Sequence, residues 1–168
     1  GIPLNVGKDM EVMKQFYDVV SLLEIFTDSS KILPTYQRIA QAEIAYRGIN
    51  ATAQDCLWDT FDAAFSIASR GKIGAKEYPL YVKGIRDLRG HIYAENYSPE
   101  IAAVRAVRVM YLAMCLLTGN TYKKVEDVNE MSDKKLMHSE LASLKYLRKV
   151  NLEAYSYLVL LDEILEIR

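Results

Sequence analysis

The residues best equipped for chemistry in this chain stand in one short run, Arg86-Asp87-Leu88-Arg89-Gly90-His91-Ile92-Tyr93. A guanidinium is planar and permanently charged, so Arg86 can clamp two oxygens of an anionic group. An imidazole titrates near neutrality, so His91 can take or return a proton. Asp87 can orient either of them, Arg89 adds a second cation, and Tyr93 offers a ring and a hydroxyl. Together these types suit proton transfer at a negatively charged centre, with charge growing in the transition state. No P-loop, dinucleotide fingerprint, His-Glu-x-x-His or zinc-type spacing occurs elsewhere. Ser, His and Asp form no recognisable hydrolase arrangement.

As a pattern, the run is Arg, four residues, His, any residue, Tyr. It resembles the motif of the HEPN superfamily, and its Tyr two places after the His resembles the HepT-like branch. The resemblance covers these eight residues and a helical context. It implies a helical bundle that cleaves RNA without a metal, with the ribose 2′-OH as nucleophile. Arg86 is then expected to bind the scissile phosphate, His91 to act as base or acid, and Asp87 to orient them. Arg89 and Tyr93 become RNA-contacting residues, and Tyr93 a candidate for nucleotidylation by a partner enzyme. The same resemblance implies a homodimer, an antitoxin-like protein partner, and no metal or cofactor.

Helix geometry sets a condition on this reading. Five residues turn an α-helix through about 500°, which leaves Arg86 and His91 about 140° apart on a regular helix. Gly90 is expected to end or distort the helix just before His91. The plainer reading treats Arg86 and Arg89 as a solvated face and His91 as a residue favoured at a helix C-terminus.

Other polar features read as structural. Arg105 and Arg108, three apart on one helix side, are expected to pair with acids rather than extend a basic face. His138 reads as an exposed helical histidine. Of the 12 tyrosines, Tyr78, Tyr81, Tyr93 and Tyr97 flank the motif and could stack on bases; most of the rest read as core or interface. Cys56 and Cys115 read as free thiols in apolar helical surroundings.

The elements that must hold these residues are helices. Eight Gly and four Pro in 168 residues are too few for a turn-rich all-β chain. The length favours a single domain, 1–168. Apolar spacing predicts helices from Lys8 to Phe26, Pro34 to Arg47 and Thr52 to Ser69, then a loop at Arg70-Gly71-Lys72-Ile73-Gly74. A fourth helix opens near Tyr78-Pro79, and Gly90 threatens its end. Ser98-Pro99 begins a fifth, which runs to Thr118 and closes at Gly119. Tyr122 to Val128 reads as a short helix, and helical pattern runs from Ser132 to Arg168 with a join at Asn151. The expected fold is an all-α antiparallel bundle of five to seven helices.

A net charge of −1 excludes a bulk electrostatic attraction to nucleic acid, so any RNA contact must be local. No apolar run reaches the roughly 18 residues of a membrane span, and no signal peptide is visible, so cytoplasmic residence is the default expectation. Two functions remain: metal-independent RNA cleavage, or a non-catalytic helical interaction protein such as a small subunit of a nucleoprotein or defence complex. A basic groove or a large apolar patch, without a convergent Arg–His pair, would mark the second.

Overall fold

The computed structural model describes residues 2–4 and 6–166. Among them are seven α-helices and one 3-10 helix, with no strand. The α-helices are α1 (Asp9–Ile25), α2 (Ile32–Arg47), α3 (Ala53–Ala68), α4 (Tyr78–Arg89), α5 (Pro99–Thr118), α6 (Leu147–Val150) and α7 (Leu152–Ile164); the 3-10 helix is Ser139–Leu144.

The starts of α3, α5 and α7 follow from side chains that satisfy free backbone N–H groups. Thr52 and Asp55 form a reciprocal capping box at α3. The Ser98 hydroxyl accepts from the Ile101 N–H, with Pro99 in the first turn of α5. Asn151 joins α6 to α7, and its side chain accepts from the Ala154 N–H. At the end of α3 the chain turns left-handed through Arg70 and Gly71, and the Gly71 N–H returns to the Ser66 carbonyl. A side chain at 71 would run into the Tyr78 ring, so this turn needs its glycine.

α5 is the central element. It packs on α1, α3, α4 and α7, and ten of its 20 residues are buried. Its length and mean hydropathy of 1.7 match those of a membrane-crossing helix, although no apolar run in the sequence does. The difference is that Arg105 and Arg108 interrupt the runs without lowering the average enough. Burial on several sides accounts for the apolarity. Residues from α1, α3, α4, α5 and α7 form one buried cluster with the 3-10 helix and Leu147 of α6. α2 contributes no buried residue.

α4 crosses α1 closely at Gly84. A Cβ there would overlap the Asp9 carbonyl and the Met13 side chain. The same crossing buries the Asp9 carboxylate, which accepts from Lys83 at 3.0 Å.

The segment after α5 differs from the sequence expectation. Tyr122 to Val128 is not helical, and regular structure resumes only at Ser139 rather than Ser132; Ile167 and Arg168 lie outside the described residues. The reason lies in α7. Its polar side chains bond the backbone of this segment and replace helical bonds. The Tyr157 hydroxyl accepts from the Val125 N–H, Ser156 donates to the Val128 carbonyl, and Tyr155 donates to the Lys134 carbonyl. Asp162, 2% exposed, accepts from the Met137 and His138 N–H groups. The Tyr122 ring sits against Tyr111 and Tyr157.

His138 is correspondingly not an exposed helical residue. It is half-buried at the head of the 3-10 helix, with Nδ1 2.9 Å from Asp162 Oδ1. Burial alone raises the pKa of Asp162, but the two N–H groups and the His138 ring outweigh it and hold the carboxyl below its ordinary range.

Candidate functional site

α4 buries Tyr81, Gly84, Ile85 and Leu88. That spacing turns Lys83, Arg86, Asp87 and Arg89 outward, and all four are exposed. The helix ends at Arg89 through a tight turn in which the His91 N–H bonds the Leu88 carbonyl at 2.8 Å. Gly90 stands at the break, as the spacing anticipates. It keeps a right-handed φ of −65°, so the turn makes no use of glycine's special freedom. His91 therefore leaves the helix, and the 140° separation of a regular helix no longer applies to it.

The loop beyond is held at its far end. Tyr97 is buried, with its ring edge-on to Tyr17 at 5.1 Å. Glu95 is clasped by Arg105 through two hydrogen bonds. Between these anchors and α4, His91 is exposed and Tyr93 is 96% exposed.

The expected site residues are near one another in the chain, and no hydrogen bond or ion pair joins Arg86, Asp87 and His91 to one another. Asp87 accepts from Lys83, which also reaches Asp9, and it makes no hydrogen bond to Arg86 or His91. Burial and the α4 register set that outcome, because Lys83 and Asp87 stand four apart on one helix face. Arg86, Arg89 and His91 make no ion pair with a described residue, and no hydrogen bond joins Arg86 to His91. Of the tyrosines near the motif, Tyr81 and Tyr97 are core residues, and Tyr78 is half-buried. Burial pushes the Tyr81 phenol up to about 12. Only Tyr93 of the four presents a free ring.

Arg105 and Arg108 are both paired with acids, as their spacing suggested. Arg108 reaches Glu24 at 3.2 Å and Glu153 at 2.7 Å. Cys56 and Cys115 are free thiols, and burial pushes Cys115 up to about 11. Among the described residues no three His, Cys, Asp or Glu side chains gather at a metal-sized site.

The concave surfaces lie elsewhere. A groove of about 290 Å³ opens between α1, α3 and α5. Met13, Leu57, Ala64, Ile67 and Ala113 form its floor, and half-buried Val12, Phe16, Val19, Leu112 and Leu116 its walls. Gln15, Asp59 and Thr60 mark the rim, and Tyr36 of α2 closes one flank. The Tyr36 hydroxyl donates to the Ala53 carbonyl, and burial lifts its pKa to about 12.

α2 beside this groove carries two apolar stripes. Leu33, Tyr36, Ala40 and Ile44 are half-buried against the body. Ile39 at 54% and Tyr46 at 88% face solvent, on a stripe about 115° away by helical turn. Sequence reasoning missed this feature, although its signal was present: a helix with two apolar stripes needs two packing partners, and the chain supplies one.

No protein-family model, curated protein or solved structure matches this chain.

Proposed function

We propose that this chain is a non-catalytic helical interaction protein whose contact face is the outer side of α2 with the groove between α1, α3 and α5. The observation that carries this reading is α2 itself. A 16-residue helix buries none of its side chains and turns Ile39 and Tyr46 to water, next to an apolar groove. Isolated helices of this length are marginal in water, and tertiary packing normally supplies their stability. Large exposed apolar patches mark association surfaces. The test is photocrosslinking in the cells that make this protein, with benzoylphenylalanine at position 39 or at position 93. A discrete crosslinked species from position 39 and none from position 93 supports the reading. Position 39 yielding no discrete species would overturn it.

A second reading, metal-independent RNA cleavage of the HEPN kind, has its own support. Arg86, Arg89 and His91 stand without acidic partners among the described residues, beside the exposed Tyr93 ring. Cations near an exposed aromatic ring suit phosphate and base contacts. None of these four residues lines the groove described above, and in this reading a second chain completes the cleft. Its test is RNA cleavage in EDTA by wild type and His91→Ala. Loss of cleavage in the variant, with cyclic-phosphate ends from the wild type, would establish it; equal products from both would dismiss it.

A further inference from the structure

We infer that the occupant of the α1/α3/α5 groove is α2 of a second copy of this chain, exchanged in both directions. The inference rests on reading the α2 face as a contact surface, and it adds the identity of the partner.

Three features lead to it. The chain carries both halves of one contact: an apolar groove that its own Ile2 and Tyr36 border but leave open, and a helix with an apolar stripe lacking a partner. Charge matches across the two halves. Asp59 is the one acidic residue on the groove, and α3 holds no Lys or Arg, while Lys31 and Arg38 flank the outer stripe of α2. Asp59, on the groove rim, and Arg38 each make no ion pair with a described residue. The two halves also adjoin. Tyr36 borders the groove on one side and the outer face of α2 on the other.

A two-fold axis beside Tyr36 therefore seats each α2 in the other chain's groove and brings the two α2 helices side by side. Such a contact is isologous and closes on itself, so it stops at two copies. Ile39 enters the apolar floor, and Arg38 of one chain meets Asp59 of the other. An unrelated helix could fill the groove, but nothing on this surface selects one, whereas α2 matches it in polarity and charge.

The test is sedimentation of the full chain from about 1 to 100 µM, with far-UV dichroism to confirm folding of each variant. The wild type is expected at twice the 19.1 kDa chain mass. Ile39→Asp places a charge in the apolar contact and should weaken association by about 100-fold or more. Arg38→Asp and Asp59→Arg should each weaken it by about 10-fold, and the double variant should recover to within about 3-fold of wild type. Dimers of unchanged affinity in Ile39→Asp, or a double variant weaker than either single one, would overturn the proposal. A wild type that stays monomeric overturns it too. If position 39 then crosslinks to a different protein, the contact-face reading stands while the second copy does not; if it crosslinks to nothing, both fall.

Discussion

Arg105 grips both carboxylate oxygens of Glu95, at 2.5 and 2.9 Å, across the ten residues that separate the motif loop from the middle of α5. The guanidinium that could have widened a basic face is spent on tethering the loop that carries His91 and Tyr93. Both side chains are largely shielded from water, which makes this pair stronger than a surface ion pair. Lysine cannot reproduce the two-pronged geometry. Arg105→Lys is therefore expected to cost about 1 kcal/mol in urea unfolding, and to speed amide exchange over residues 91–97. Unchanged exchange there would show that Tyr97 alone holds the loop.

The α1/α4 crossing depends on an absent side chain. Gly84→Ala would force a methyl into the Asp9 carbonyl and Met13, and backbone cannot yield as a flexible side-chain tip can. The expected loss is about 2 kcal/mol or more by equilibrium unfolding. The parallel change Gly90→Ala meets only the Asp87 carbonyl at 3.9 Å, an ordinary contact, and should leave stability within about 0.5 kcal/mol. Equal effects at the two glycines would contradict the packing described for α4.

Asp162 gives the fold an acid-sensitive joint. Its folded pKa lies below the ordinary carboxylate value because backbone and imidazole N–H groups outweigh the cost of burial. A depressed carboxyl contributes stability that is fully present above the unfolded pKa, about 3.9. That contribution fades as pH falls from there through the lower folded value. Asp162→Ala removes the acceptor and strands the Met137 and His138 donors, at an expected cost of about 3 kcal/mol at neutral pH. The difference between wild type and variant should shrink as pH falls below 4. A constant difference down to pH 2 would mean that the carboxylate charge plays no part.

Helix ends were legible wherever a side chain in the next few residues satisfies the backbone. Thr52, Ser98 and Asn151 do so locally. The stretch from Tyr122 to His138 was not legible, because its partners are Tyr155, Ser156, Tyr157 and Asp162, some 20 to 30 residues away. Spacing arguments cannot see a bond made across the fold. The motif run was easy to find, and the end of α4 at Gly90 was anticipated. That Asp87 would be taken by Lys83 follows from an i,i+4 rule not applied to that pair. The open stripe of α2 went unnoticed for a different reason: periodicity reports that a face is apolar, and the fold decides whether anything covers it.

Amide exchange along α2, followed as a function of protein concentration, tests most directly whether this helix awaits a partner. With its inner stripe only half-buried, α2 should exchange fast in dilute protein and become protected as concentration rises, while α5 stays protected throughout. Protection of α2 equal to that of α5 in the most dilute samples, or none at any concentration, would contradict the account.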